Sequence, residues 1–461
     1  MRPYRTSAGN VGHMEDRAPA WGIEPVPERL RTLGLWDLTV LWGNLGVSLL
    51  VLVIGALIVP ALTLRDALLA ILVGGVIGNA MVGTAGMIGA DARVPSMVLL
   101  RAPLGRRGSY IPTALNALQC LGWATFELII IAAAAGALSD ELFGFEAKAA
   151  WTIAFGALAA AFALLGPVGF IRRILRRFGV WIVLASLVYL TWWALSEADL
   201  RALWDAPAQG GSTFWLAVDL VIAITVSWVP LVSDYTRFAT DRAPAFWGSG
   251  MGYFIGGTWM LGLGVFIVLS RGVSDPVEIP PAVAAAGFAA ALALLAVTID
   301  ETDEAFANIY STAVSLQNVL PVIEQRLLIA AVAVAATIGA LLVELRNYES
   351  FLLLLGSFFV PLFGVLLADW LLSGARYSSA QIFNAPAWRF ELLAAWLLGF
   401  LLYHWLHEPP LGPSWWVDIV EETGQPNLGI GASLPSFAAS FVLALGLGSL
   451  GSRLPQPASK W

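Results

Sequence analysis

The sequence TIDETDEAFANIYS, residues 298–311, places acidic and amide side chains inside an otherwise apolar part of the chain. These side chains are Asp300, Glu301, Asp303, Glu304 and Asn308, accompanied by Thr298, Thr302 and Ser311. A charged group at bilayer depth costs about 2.5–3.5 kcal/mol, so it persists there only where it is paired, hydrated or functional. At helical spacing Asp300, Asp303 and Glu304 share roughly one face, which Asn308 extends by one turn. The alternative is that 300–304 is a loop between two helices.

The composition indicates an integral membrane protein. Hydrophobic residues make up 58% and charged residues 12% of the 461-residue chain, and the mean hydropathy is +0.77. A soluble chain of this length could not bury so much apolar surface. Cys120 is the only cysteine, which excludes an intramolecular disulfide, and no patch rich in Lys and Arg suggests nucleic-acid binding. Residues 1–35 are polar and arginine-rich without the apolar core of a signal peptide, which predicts a flexible cytoplasmic tail.

Twelve apolar runs are long enough to cross a bilayer, each near the ~20 residues that a spanning helix needs. They lie at about 36–60, 66–90, 109–137, 149–168, 178–196, 213–232, 248–271, 283–319, 326–343, 349–373, 388–407 and 433–452. We therefore expect an all-α integral membrane protein with 12 transmembrane helices.

The basic residues between these runs predict the orientation. With the N-terminus inside, five of the 25 Lys and Arg residues fall in outside segments and the remaining 20 fall inside. The five outside residues are Arg65, Lys148, Arg201, Arg271 and Arg346. A loop at 300–304 would reverse all later segments and move Arg376, Arg389 and Arg453 outside. We therefore favour one long eighth segment with an acidic middle, and we expect both termini in the cytoplasm.

Two spans carry helix-breaking residues in mid-membrane. The first, WDLTVLWGNLGVSLLVLVIG (36–55), contains Gly43, Asn44 and Gly46, and the sixth, AVDLVIAITVSWVPLVSDY (217–235), contains Ser227 and Pro230. Each break alone is compatible with a packing kink, but unwound backbone at this depth is tolerated where it lines a cavity. The breaks lie five spans apart, so the two spans cross in opposite directions, which is typical of an inverted repeat with a site at the midplane. The implied units are a first repeat (36–196), a second repeat (213–373) and two added helices (388–452), between tails at 1–35 and 453–461.

The third span contains GWATFE (122–127), in which Trp123 and Glu127 lie one helical turn apart. An indole beside an isolated carboxylate predicts a clamp for a flat, nitrogen-rich heterocycle, with the ring on Trp123 and its N–H groups on Glu127. The alternative is a Trp packed between helices and a Glu paired with a distant Arg. In the eighth span, Thr302 and Asp303 offer hard oxygen ligands of the kind Na⁺ needs, together with carbonyls of an unwound 43–47 stretch. Asp303 could equally carry a proton.

Further motifs accompany these residues. They are IEPVPE (23–28), RAPLGRRGSYIP (101–112), SDYTRFATD (233–241) and ANIYS (307–311). Together with GWATFE they resemble the nucleobase:cation symporter-1 family, and the chain is most similar to its hydroxymethylpyrimidine permease branch. The resemblance implies the leucine-transporter fold, in which five-plus-five inverted repeats precede two further helices and helices 1 and 6 are broken. It also implies inward transport of purines, pyrimidines, hydantoins or related vitamins, coupled to Na⁺ or H⁺.

The resemblance also implies a site, residue by residue. The stacking Trp of the family falls on Trp123, its hydrogen-bonding Gln on Glu127 and its substrate-reading Asn on Asn308. Where the hydantoin member has a ring-sandwiching Trp on helix six, this chain has Thr225, preceded by Ile224. Ser48 and Ser227, at the two breaks, complete the expected substrate site. The implied Na⁺ site consists of the carbonyls of Asn44, Val47 and Ile299 and the side chains of Thr302 and Asp303. In the hydantoin member the last two are Ser and Thr, so the coupling ion stays open between Na⁺ and H⁺.

The carboxylate at Glu127 favours a donor-rich or protonatable substrate edge. We therefore expect a cation symporter that imports an aminopyrimidine, with hydroxymethylpyrimidine, the thiamin precursor, as first candidate and cytosine as second. We expect a monomer in the inner membrane, without a cofactor or a nucleic-acid partner. An alternative from another class is a membrane-embedded metal-dependent enzyme built on the acidic cluster, although no His accompanies those carboxylates. A ligand-gated channel is a third alternative, but the sequence lacks an evident ring of selectivity-filter residues.

Overall fold

The computed structural model describes residues 22–170, 179–196, 198–273, 278–343, 348–407, 412–426 and 428–451, and these fold into helices joined by turns. The described helices are a 3-10 helix at Glu28–Leu30, α1 (Leu35–Leu45), α2 (Leu49–Ile58), α3 (Leu64–Ala92), α4 (Ser96–Leu99), α5 (Arg101–Leu104), α6 (Tyr110–Phe143), α7 (Lys148–Phe170), α8 (Val180–Leu195), α9 (Leu200–Asp205), α10 (Phe214–Val226), α11 (Val232–Thr236), α12 (Arg242–Arg271), α13 (Ile279–Ala284), α14 (Phe288–Asp300), α15 (Thr302–Leu316), α16 (Gln325–Leu342), α17 (Tyr348–Leu372), α18 (Ser379–Phe383), α19 (Phe390–Leu406), α20 (Ser414–Thr423) and α21 (Ser433–Gly451).

Seven of the described helices are long and apolar enough to cross a membrane. They are α3, α6, α7, α12, α16, α17 and α21. The pair α1–α2 adds an eighth if it forms one bent span, and α8, α10 and α19 are shorter apolar helices. The remaining predicted span, the acidic eighth, corresponds to α14 followed by α15. Twelve crossings therefore stay a prediction.

The acidic stretch lies within a helical segment and not in a loop. Between the end of α14 at Asp300 and the start of α15 at Thr302, Glu301 keeps right-handed helical dihedral angles (φ −49°, ψ −22°). Its amide donates to the Val297 carbonyl at 2.8 Å, so helical hydrogen bonding continues across the junction. Because residues 301–304 are all buried, the alternative of an aqueous loop is wrong.

The helices change direction where the sequence places Gly and Pro. α1 and α2 meet at 60° across residues 46–48, and Ser48 begins α2 by accepting a hydrogen bond from the Leu50 amide at 3.1 Å. α10 ends at Val226 and α11 begins at Val232, with a turn at 227–231 between them. Each interruption leaves helix ends, with their partial charges, inside the bundle.

Glycines allow α1 to approach α12 closely. α1 packs on α12, which packs in turn on α3. A Cβ added at Gly46 would lie 2.5 Å from the Gly257 nitrogen, and one added at Gly256 would collide with the Gly43 carbonyl oxygen. Backbone contact of this kind needs small residues on both helices, as is common between membrane helices. It fixes the position of the α1–α2 break.

One end of the bundle is covered by the segment 22–34. The Leu33 amide donates to the Phe238 carbonyl at 3.0 Å, and its carbonyl accepts from Thr240 at 2.9 Å. The Arg237 guanidinium donates to the Gly22 carbonyl at 2.9 Å. This part of the predicted tail is therefore bound to the region after α11 and is not flexible. Residues 1–21 and the tail at 453–461 lie outside the described residues.

Basic residues that were predicted to share the inner side do lie together. Asp91, near the end of α3, pairs with Arg242 at 2.6 Å and with Arg376 at 3.5 Å. Arg93 pairs with Glu28 at 3.1 Å. The ends of α3 and α12 and the connection after α17 therefore meet at one face of the bundle, as the inside assignment requires. Which side of the membrane this face meets stays a prediction.

Candidate functional site

Four elements bring most of the predicted site residues together: the α1–α2 break, α6, the end of α10 and the α14–α15 junction. α15 packs against α6, and α2 contacts α6. Residues 302–315 of α15 are buried on every side, so its polar side chains face other helices and not lipid. Polar groups in that position are expensive unless they serve a partner or a ligand.

The Asn44 side chain joins two of the acidic residues. Its Nδ2 donates to Asp300 Oδ1 at 2.8 Å and to Asp303 Oδ2 at 2.7 Å. Asp303 Oδ1 and Thr302 Oγ1 are buried, and neither has a hydrogen-bond partner among the described residues. Two carboxylates and the end of α1 thus meet at one polar position. Such hard oxygens suit an alkali or alkaline-earth cation.

Glu301 is held at the start of α2. Its two carboxylate oxygens accept hydrogen bonds from Ser48 Oγ and from the Leu49 amide, each at 2.8 Å. A carboxylate at this place satisfies a free amide of the first helical turn and complements the positive end of the helix dipole. Glu301 therefore links the α1–α2 break to the α14–α15 junction, a role that the sequence analysis did not assign.

Three glutamates meet beside this link. One carboxylate oxygen from each of Glu127, Glu301 and Glu304 lies within 4.8 Å of the others, and all three side chains are buried. Within the described ranges no Lys or Arg pairs with them. Like charges this close in a buried place repel strongly unless a positive charge or a proton separates them.

A small cavity adjoins Glu304. It has a volume of about 10 Å³, which is room for one water molecule, and it is lined by Trp123, Ile224, Ser227, Trp228, Leu231, Glu304 and Asn308. Trp123 is 5% exposed and meets the Phe351 ring edge-on at 5.4 Å. In this conformation the cavity is too small for a heterocycle, so a substrate would have to enter a more open state.

The cavity collects some of the residues predicted to bind substrate and leaves others outside. Trp123, Ile224, Ser227 and Asn308 line it. Glu127 lies behind Glu304, and Ser48 is engaged with Glu301. Thr225 donates to the Val221 carbonyl at 2.8 Å and packs against Gly78 of α3, so it faces away from the cavity. The placement of Thr225 at the substrate ring is therefore corrected for this conformation.

The predicted cation ligands are partly assembled. Asn44 contacts Asp303 through its side chain, and its carbonyl accepts a hydrogen bond from the Val47 amide at 2.8 Å. Thr302 precedes Asp303 on α15. For Val47 and Ile299 the predicted ligands are the backbone carbonyls, and these stay a prediction. Val47 is buried at the break, and Ile299 on α14 is 49% exposed.

Three residues that line the cavity were given no substrate-binding role from the sequence: Trp228, Leu231 and Glu304. Trp228 was detectable as an aromatic residue inside the broken sixth span, and its ring meets Trp42 of α1 edge-on at 5.5 Å. Glu304 was noted without a role, since spacing on one helix does not tell which neighbour a side chain faces.

Comparison with known families gives a match over most of the chain. The model of the family described as permease for cytosine/purines, uracil, thiamine, allantoin matches residues 25–422. The cytosine permease of Escherichia coli (strain K12) is 23% identical over 397 residues, which are 83% of this chain and 88% of that protein. A Bacillus subtilis protein named as a candidate purine-cytosine permease is 26% identical over 263 residues, about half (54%) of each chain. The hydantoin permease of Microbacterium maritypicum is 26% identical over 203 residues, 44% of this chain and 41% of that protein.

Solved structures share the fold. Mhp1, a nucleobase-cation-symport-1 family transporter in a closed conformation with bromovinylhydantoin bound, superposes with a TM-score of 0.77 at 18% identity, covering 93% of this chain and 95% of Mhp1. A Na⁺-coupled sialic acid symporter in a substrate-bound outward-open state gives a TM-score of 0.62 at 10% identity, covering 97% of this chain and 94% of that symporter. The all-helical transporter fold expected from the sequence is thereby confirmed.

Proposed function

We propose that this chain, which belongs to the family of permeases for cytosine, purines, uracil, thiamine and allantoin, imports an aminopyrimidine by cation symport. It is a multi-pass membrane transporter and not an enzyme, because its family and its named relatives are permeases. The metal-dependent enzyme considered from the sequence is therefore set aside. The substrate, the coupling ion and the direction of transport are the proposed part.

The observation that carries the substrate proposal is a carboxylate beside an indole in the cavity. Trp123, Asn308 and Glu304 line the same small cavity, and no Lys or Arg is among the described residues that line it. A flat ring can stack on Trp123, while the amide of Asn308 and the carboxylate of Glu304 meet its polar edge. A carboxylate favours an edge that offers N–H donors, such as an exocyclic amino group beside a ring nitrogen.

Two aminopyrimidines fit this description. Hydroxymethylpyrimidine remains the first candidate, on the resemblance of the sequence motifs. Cytosine is the second candidate. It is favoured by the similar protein from Escherichia coli, which is named a cytosine permease and matches 83% of this chain. Both present an amino group next to a ring nitrogen, so the same carboxylate serves either.

The cation that drives transport is proposed to bind at Asn44, Thr302 and Asp303, with the backbone carbonyls of Val47 and Ile299 as further ligands. Na⁺ or H⁺ there would offset the charge of Asp300 and Asp303, both of which accept a hydrogen bond from the Asn44 amide. Since Asn44 lies at the α1–α2 break and Asp303 lies on α15, cation binding would hold the two repeats together.

Transport follows by alternating access in a protein of twelve spans, the first and sixth of them broken. The cavity is too small for a substrate in this conformation, and segment 22–34 covers the end of the bundle after α11. Release of the substrate inward therefore requires movement at that end. We expect a monomer in the inner membrane with both termini in the cytoplasm.

Thermal unfolding of the purified protein with a panel of ligands tests the substrate proposal, because a ligand that binds the folded state raises its apparent stability. Hydroxymethylpyrimidine, cytosine, uracil, a purine and a hydantoin are compared, each in Na⁺ and in K⁺. We expect a shift with an aminopyrimidine, and loss of that shift in Glu304→Gln. The exposed carboxylate of Asp140 on α6 gives the matched control, Asp140→Asn. A shift with uracil or hydantoin alone would overturn the aminopyrimidine assignment.

A further inference from the structure

Glu127, Glu301 and Glu304, the glutamate trio, are separate from the proposed cation site at Asn44, Thr302 and Asp303. Asp303 and Glu304 are consecutive on α15, so their side chains leave the helix about 100° apart. Asp303 turns to Asn44, whereas Glu304 turns to Glu127 and Glu301. α15 therefore presents one carboxylate to each of two separate polar positions.

Glu127 points to a ligand in the second position. It comes from α6, a different helix from Glu304, and its side chain is 0% exposed. Neither of its carboxylate oxygens has a hydrogen-bond partner in the part of the chain that the structure describes, and the same is true of Glu304 Oε1. A buried carboxylate left in this state is costly, because it has lost the hydrogen bonds and the solvation that water would provide.

The size of the trio suits a single metal ion. Hard cations such as Ca²⁺ bind oxygen at about 2.3–2.6 Å, so two ligands on opposite sides of one ion lie at most about 5 Å apart. The three nearest carboxylate oxygens lie within 4.8 Å of one another, inside that limit. Among the described residues no guanidinium or ammonium group is placed to neutralise them, so their charge is offset either by protons on the carboxyl groups or by a bound cation.

We propose that Glu127, Glu301 and Glu304 form a second cation site, separate from the one at Asn44, Thr302 and Asp303, for a hard, oxygen-seeking metal ion. The ion joins α6 of the first repeat to the α14–α15 junction of the second, and through the contacts of Glu301 it reaches the start of α2. It also lies directly behind the cavity, since Glu304 lines both places. Its occupancy therefore sets whether Glu304 can turn to the substrate.

The site holds for any heterocycle that the protein transports, and only its effect on the contact between Glu304 and the substrate rests on the proposed function. The test is made on the full-length purified protein without substrate. Equilibrium dialysis against radiolabelled sodium, and separately against radiolabelled calcium or manganese, counts the ions bound per protein. We expect two cations in the wild type, of one kind or of two kinds. In Glu304→Gln and in Glu127→Gln, one bound cation should remain. This remaining cation should be the one whose binding is weakened in Asp303→Asn.

The variants separate the two positions. Glu127→Gln and Glu304→Gln keep the size of the side chain, and each should weaken the second ion by more than about tenfold, the lower end of the loss caused by removing an outer-shell partner. The sodium and divalent arms identify which ion the trio takes. One cation per wild-type protein, or two cations retained in both glutamine variants, would overturn the proposal. A trio that takes up only protons would show as one cation in every salt, which also overturns it.

The outcome of this experiment can be distinguished from the outcome of the substrate test. Two bound cations in a protein that no aminopyrimidine stabilises would refute the proposed substrate and leave the second site standing. One bound cation in a protein that cytosine or hydroxymethylpyrimidine stabilises would do the reverse.

Discussion

Replacement of Trp123 by Ala tests how the cavity recognises a ring. Trp123 lies on α6, is 5% exposed and faces Ser227 and Asn308 across the cavity. Among its neighbours is Phe351, whose ring meets it edge-on at 5.4 Å and 70°. Phe351 thus supports the indole on one side, and the indole also lines the cavity, where a stacking platform is expected.

The expected loss of affinity follows from the value of stacking. Stacking of one base on an aromatic side chain is worth about 1–3 kcal/mol by alanine substitution, which corresponds to a roughly 5- to 150-fold rise in Kd. Trp123→Phe keeps a smaller aromatic face and should lose less than Trp123→Ala. The alanine variant also loses a buried side chain, at a cost of about 3–5 kcal/mol in stability, so folded protein has to be confirmed first.

Binding is measured on monodisperse protein by isothermal titration with the ligand that the thermal panel identifies. The control is Trp192→Ala on α8, the same change at a side chain that is 61% exposed. It should leave Kd unchanged. If Trp123→Ala is folded and binds with wild-type affinity, the indole is not a stacking platform and the reasoning fails.

Three further changes test the helix contacts and the cation position. Gly256→Ala should lower the melting temperature, because its Cβ would meet a backbone carbonyl of α1, whereas Gly262→Ala, with nothing within 4 Å, should not. Ser48→Ala should cost about 0.5–2 kcal/mol as a lost cap, plus the loss of its hydrogen bond to a buried carboxylate. Thr213→Ala, which removes the exposed cap of α10, should cost less, and urea unfolding compares the two. Asp303→Asn should remove the dependence of substrate affinity on the coupling cation, measured as Kd with that cation present and absent.

Each of these expectations can fail separately. Equal melting temperatures for the two glycine variants would show that α1 and α12 tolerate separation. Equal costs for the two cap variants would show that the bond between Ser48 and Glu301 adds nothing. A cation dependence that survives in Asp303→Asn would remove that carboxylate from the coupling position.

The helical architecture was predictable because bilayer thickness and helix rise fix the length of a spanning run. The interruptions were predictable because Gly and Pro act on the backbone of their own segment: residues 46–48 and 227–231 lie between helices in the structure. The start of the eighth run was placed too early, at residue 283. α14 begins at Phe288, after Gly287 takes a φ of +108° that the apolar pattern does not reveal.

The site was predictable in part. Trp123, Asn308 and the pair of Asn44 and Asp303 were named from the sequence, and they lie where helices α1, α6 and α15 meet. The partners of Glu301 and Glu304 were not, because rotation of a buried helix decides which neighbour each side chain meets. Local sequence does not encode that rotation, since it depends on packing between segments more than 150 residues apart.

Uptake into proteoliposomes tests the central claim most directly. Radiolabelled cytosine and hydroxymethylpyrimidine are offered outside, with an inward gradient of Na⁺ or of H⁺ and an ionophore to collapse it. We expect accumulation of an aminopyrimidine above its external concentration while one of the gradients lasts, and release when the gradient is collapsed. Equilibration without accumulation under both gradients, or no uptake of either compound, would contradict cation-coupled import of an aminopyrimidine.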